Sequence, residues 1–132
     1  MDNSVIEFFA QYGTFEDVID FSEYMVSDLG LVMRKEVCMF LTPITLKDGH
    51  EHVRIKYDFG KKQWYPLRLL VAKAFVRPLP ETREELVPNE YGCNDVEHIN
   101  GDKTNNEASN LRWVWIFLTL SNNIINVKGW SY

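Results

Sequence analysis

Between residues 53 and 58 the chain alternates Val53, Ile55 and Tyr57 with Arg54, Lys56 and Asp58. Alternate side chains of a strand point to opposite faces, so this run reads as a half-buried strand with a basic outer face. Asp48-Gly49 before it and Gly60-Lys61-Lys62 after it are turn signals, and Gln63-Trp64-Tyr65 begins the returning strand. The period then changes. Leu67, Leu70, Val71, Ala74 and Phe75 keep helical spacing behind Pro66, a residue tolerated at a helix start, and predict a helix over 67–76.

Three prolines and many charges predict a connecting loop over 77–94. Beyond it the pattern predicts a strand at 95–99, a polar turn at 100–106, a strand at 110–118 and a helix at 120–127. Upstream, Leu31-Val32-Met33 reads as a short strand and residues 37–46 as β-rich chain broken by Pro43. Mixed apolar and acidic positions at 7–12 and 15–25 predict short helices. No internal repeat or low-complexity segment breaks the chain.

The 132 residues suffice for one domain with a real core, or for one domain and a small appended module. Net charge is −5, but it is unevenly spread. Residues 1–30 carry seven acids and no Lys or Arg, residues 31–80 ten bases and four acids, and residues 81–132 four bases and eight acids. A basic middle between acidic ends can bind phosphates, because the local field governs contact more than the total does. The bases there, Lys47, Arg54, Lys56, Lys61, Lys62, Arg68, Lys73 and Arg77, are candidates for phosphate contact; as a bland alternative they form a solvated face. Cys38 and Cys93 form no CxxC pair, so neither a zinc ribbon nor a disulfide framework is expected. Residues 1–9 show no basic leader, and the most apolar run, 111–120, is about half a membrane span. A cytoplasmic protein without a membrane partner is the expectation.

The segment with unabsorbed chemistry is 95–114, DVEHINGDKTNNEASNLRWV. Asn100, Asn105 and Asn106 suit a turn, since Asn tolerates left-handed backbone and bonds its own main chain. Glu97 beside His98 suits phosphodiester hydrolysis. Attacking water must lose a proton, and neutral imidazole is a suitable base near pH 7. A carboxylate beside it can hold a hard cation. Neighbours on a strand face opposite ways, so the pair shares a site only if the strand ends or twists there. His50 and His52 flank a turn without a carboxylate at useful spacing and read as surface residues.

The run Glu97-His98-Ile99-Asn100-Gly101-Asp102-Lys103-Thr104-Asn105-Asn106, followed by Asn110-Leu111-Arg112-Trp113-Val114, resembles the HNH endonucleases of phage and intron type, a branch of the His-Me finger nucleases. Residues 67–76 are similar to that family's helix, with Arg68 where it usually has His. Residues 22–35, SEYMVSDLGLVMRK, resemble a small nuclease-associated module. The resemblance covers roughly residues 20–127. It implies an α+β fold, a ββα-metal (His-Me) finger behind a small β-rich N-terminal module with short helices. The expected organisation is an acidic segment 1–30, a β-rich module 31–76 carrying the helix, the loop 77–94, and the finger 95–128.

The resemblance further implies His98 as general base, Asn110 as the residue that braces the metal loop and orients His98, and Glu97 as a ligand of Mg²⁺ or Mn²⁺. The third motif is displaced by residues 115–118; read as an insertion they place Asn123 as the distal metal ligand, with Asn122 close behind, and without the insertion Thr119, a poorer ligand, falls there. DNA is the implied substrate, with Arg54, Lys56, Lys61, Lys62, Arg68 and Arg112 on its backbone. A phage-encoded enzyme in the host cytoplasm would fit. The alternative is a catalytically lapsed member of the fold that binds a protein through the acidic N-terminus and the 115–118 apolar run, which as a homodimer seam or ordinary core is open.

Overall fold

The computed structural model describes residues 10–76, 92–118 and 124–127. An N-terminal antiparallel sheet runs in chain order through β1 (Phe15–Asp17), β2 (Tyr24–Ser27), β3 (Val32–Arg34) and β4 (Met39–Phe40). A second sheet orders β5 (Ile44–Thr45), β6 (Glu51–Lys56) and β7 (Lys62–Pro66), and leads directly into helix α1 (Leu67–Phe75). A third is built from β8 (Gly92–His98), β9 (Leu111–Leu118) and β10 (Ile124–Val127), with β9 central. The architecture is α+β. Among the described residues no helix is long and apolar enough to cross a membrane.

The alternation in β6 does what its pattern predicts. Val53 and Ile55 are buried, while Arg54 is exposed opposite Trp64, and Lys56 lies opposite Lys62. Helix α1 buries Leu67, Leu70, Val71 and Ala72 and ends at Val76, whose backbone is extended. Residues of all three sheets and of α1 meet in one apolar cluster that includes Val26, Val53, Leu70, Val96, Leu111 and Trp113. Trp113 is 2% exposed and donates its indole N–H to the Val76 carbonyl at 3.2 Å, so β9 and the end of α1 are locked together.

Three expectations change. Residues 15–25 hold strands β1 and β2 instead of a helix. Asp20 takes a positive φ of 70° between them, and Asp58 accepts hydrogen bonds from the Ser22 amide (2.8 Å) and hydroxyl (2.6 Å), drawing the connection onto the β6–β7 turn. Residues 7–9 of the 7–12 segment lie outside the described residues. Residues 124–127, expected in a helix at 120–127, form β10 against 115–118. Three of those four residues are β-branched, and such side chains lose less freedom in a strand than in a helix. Finally, the N-terminal sheet pairs β2 with β3 across residue 30, where a segment boundary was expected. Gly30 itself has φ +86°, and a Cβ there would approach the Asn106 carbonyl oxygen to 3.0 Å. The Ala108 amide also donates to the Asp28 carbonyl at 2.8 Å. The N-terminal sheet is thereby seated on the 99–110 turn.

Candidate functional site

Strand β8 ends at His98, which is still paired in the ladder; Val96 and His98 are buried while Asp95 and Glu97 are half-exposed, so the alternation of a strand runs to its last residue. The chain then turns: the Gly101 amide donates to the His98 carbonyl at 3.0 Å, and Gly101 has φ +80°. The turn is wired through Asn110. Its Oδ1 accepts from the Asn100 amide at 3.1 Å, while its Nδ2 donates to Asn100 Oδ1 at 3.0 Å and to the Asn105 carbonyl at 2.9 Å. Its own carbonyl accepts the Ile99 amide at 2.8 Å. Asn110 is buried, so each of these bonds is costly to leave unmade. Asn100 and Asp102 complete the turn by bonding backbone amides two residues ahead, at 2.8 and 2.9 Å. The Thr104 hydroxyl and then its amide, both bonded to Asp102, hold that carboxyl below the usual carboxylate range.

His98 is buried at 9% exposure, opposite Leu111 in the ladder. Its ring is held by Asn106, not by a side-chain contact from Asn110: Nε2 lies 2.8 Å from Asn106 Oδ1. Asn106 Nδ2 in turn donates to Glu51 Oε1 at 2.9 Å. The His50 ring stacks on His98 with centroids 5.4 Å apart.

His50 and His52 are therefore not the surface pair expected from spacing. His52 is 7% exposed, with Nδ1 3.0 Å from the His50 carbonyl. The Asp48-Gly49 turn aims both inward, and Lys103 clamps it by donating to the Asp48 carbonyl at 2.9 Å. Burial pushes the His50 imidazole below its ordinary pKa, and the Arg68 charge pushes the same way. The His50 backbone amide, bonded to Asp48 at 2.9 Å, lowers the Asp48 carboxyl.

Arg68 is not on the basic outer face. Its side chain is 11% exposed, with Nη2 3.3 Å from Asp95, and its Nε and Nη1 are buried without hydrogen-bond partners. A buried guanidinium near His50 acts on the site as a fixed charge, not as a surface phosphate contact. Arg54, Lys61 and Lys62 are exposed and Lys56 is half-buried; the Arg54 guanidinium lies 5.8 Å from the Trp64 ring centre. Lys73 donates instead to the Tyr65 hydroxyl at 2.7 Å. Arg77 lies outside the described residues.

Glu97 faces Arg112 across the ladder, and the guanidinium binds its carboxylate, Nε to Oε1 at 2.7 Å. Among the described residues no three His, Cys, Asp or Glu side chains gather as a metal site. A hard divalent ion needs only one or two carboxylates and keeps water for the rest, so a half-exposed Glu97 fits it once Arg112 releases an oxygen. Asn122 and Asn123 lie outside the described residues.

No protein-family model and no curated protein matches this sequence. A solved structure does, that of "DNA binding and cleavage by the HNH homing endonuclease I-HmuI", with a TM-score of 0.62 and 27% identity over 76% of this chain and 52% of that one. The fold is that of an HNH endonuclease. The HNH likeness supports a nuclease-like function, and the chain spans about half the length of that protein. The His98–Asn106–Glu51 arrangement had no signal in spacing, because Glu51 is 55 residues from Asn106.

Proposed function

We propose that the protein is a divalent-metal-dependent HNH DNA endonuclease that hydrolyses phosphodiester bonds with His98 as general base. The observation that supports it is the fold shared with an HNH endonuclease, with His98 at the end of β8 beside the turn that Asn110 closes. His98 takes the proton of the water that attacks phosphorus, and the 3′ oxygen leaves. Asn110 keeps the 99–105 turn shut, so that His98 and Glu97 hold their places at the strand end. Glu97 and Asn123 would hold Mg²⁺ or Mn²⁺, which when bound would supply charge neutralisation at the leaving oxygen. Arg54, Lys56, Lys61 and Lys62 contact DNA phosphates. Arg68 adds positive potential from within, and Arg112 exchanges its Glu97 partner for the DNA backbone.

The test is cleavage of supercoiled plasmid with Mg²⁺ or Mn²⁺ by the wild type and by His98→Ala, with an EDTA control. The expected result is metal-dependent cutting that falls by ~10²–10⁴ in the variant, the usual contribution of a general base. Equal cutting by His98→Ala, or no cutting of any DNA by the wild type, would overturn it.

A further inference from the structure

A chain of side chains runs from the start of β6 to the end of β8: Glu51 bonds Asn106 in the turn, 55 residues away in sequence, and Asn106 bonds His98. The chain of hydrogen bonds has a direction. A carboxylate can only accept, so Asn106 must present its NH₂ to Glu51. Its carbonyl oxygen then faces His98, and a carbonyl can only accept as well. The bond at 2.8 Å therefore requires the proton on Nε2 of His98. Asn106 is 5% and His98 9% exposed, so a bond left unmade between them would carry the cost of a buried unsatisfied group.

We propose that Glu51 and Asn106 are positioning residues that fix neutral His98 as its Nε2–H tautomer and leave the Nδ1 lone pair as the base atom. The role assigned to Nδ1 rests on the nuclease reading above; the tautomer itself does not. Glu51 acts through Asn106 and need not touch substrate. The backbone of Asn106 is held in turn by the close approach of Gly30, so the N-terminal sheet keeps the middle member of the chain in place. A second ring nitrogen bond of this kind is how a histidine is commonly oriented for proton transfer.

The experiment is a long-range ¹H–¹⁵N correlation spectrum of the ¹⁵N-labelled full chain, at a pH where the imidazoles are neutral. In the wild type His98 should show a protonated Nε2 and an unprotonated Nδ1. The reverse pattern, or an even mixture, overturns the proposal whether or not the protein cuts DNA. Glu51→Gln removes the acceptor-only end, so Asn106 is free to flip and the His98 signals should move toward a mixture. Asn106→Asp combined with Glu51→Gln reverses the bond between 51 and 106 but keeps an acceptor against Nε2, since a carboxylate at 106 accepts both from His98 and from the glutamine amide. That pair should restore the wild-type pattern. A tautomer unmoved in Glu51→Gln, or a double variant that stays folded by its amide spectrum and still shows the mixture, also overturns it. In a cleavage assay Glu51→Gln should cut more slowly, on the order of two- to tenfold, with DNA affinity unchanged and the rate recovered in the double variant; a loss that the double variant does not recover counts against the chain. Failure of wild-type cleavage with the expected tautomer would fault the nuclease reading alone.

Discussion

The imidazole of His50 lies against that of His98, with ring centroids 5.4 Å and planes 26° apart. Burial, then Arg68, lowers the His50 pKa, while Asp48 pulls weakly the other way. A histidine with a depressed native pKa binds its proton less readily than the unfolded chain does. Its contribution to stability is therefore present above about pH 6.5, the ordinary imidazole value, and is lost as pH falls through the native pKa. The melting temperature should drop on acidification from pH 7 toward 5, and His50→Phe, which keeps a ring against His98 without a titrating group, should flatten that drop. An identical acid response in the variant would assign the loss elsewhere. The lowered carboxyls of Asp48, Asp58 and Asp102 act in a separate window, below the usual carboxylate range.

Asn110 closes the turn with both ends of its amide, and that makes a sharp prediction about chemistry at one atom. Asn110→Ala strips partners from Asn100 and Asn105 and should cost about 2–3 kcal/mol, at roughly 1 kcal/mol per bond plus an orphaned donor. Asn110→Asp is nearly isosteric but cannot donate to Asn100 Oδ1 or to the Asn105 carbonyl. It should be destabilised to a similar degree in urea unfolding above pH 6. A near-wild-type midpoint for the aspartate variant would mean that shape, not the amide donors, holds the turn.

The elements carried by local pattern were legible in the sequence. The spacing of Leu67, Leu70 and Val71 gave α1 to within a residue, because one face of that helix alone meets the core. The alternation of Val53 and Ile55 with Arg54 and Lys56 gave β6 and its basic side. The turn with its several asparagines could also be read, since Asn100 and Asn105 bond amides two residues ahead. Contacts of long range were not legible. Nothing near His50 announces a ring 48 positions later, and Arg68 on a helix gives no hint of Asp95 in β8. At 124–127 the helix expected over 120–127 gives way to a strand, which the β-branched residues there favour.

The pairing of Arg112 with Glu97 sets an opposition between a fixed cation and an incoming one. Both side chains are about a third exposed, so the pair contributes on the order of 1 kcal/mol rather than the value of a buried bridge. Arg112→Ala should take the guanidinium charge off the carboxylate and tighten Mn²⁺ binding, by about three- to tenfold in calorimetry. Glu97→Gln should abolish the binding in either background. If Arg112→Ala leaves Mn²⁺ affinity unchanged, Glu97 does not hold the ion.

The basic side of the β5–β7 sheet makes a quantitative claim about DNA. Lys62 stands opposite Lys56, and Arg54 lies beside Trp64, so three charges share one face, while Lys61 adds a fourth at the adjoining turn. Each phosphate neutralised by a lysine or arginine releases counterions and adds ~0.9 to the slope of log affinity against log salt on duplex DNA. Replacing Lys61 and Lys62 with alanine should lower that slope by about two and weaken all duplexes alike, because phosphate contacts carry no sequence. The same substitutions leave the buried core untouched, so the melting temperature should stay within a degree or two. A salt slope equal to the wild type's would move the DNA to another face of the molecule, even if His98 proves to be the base.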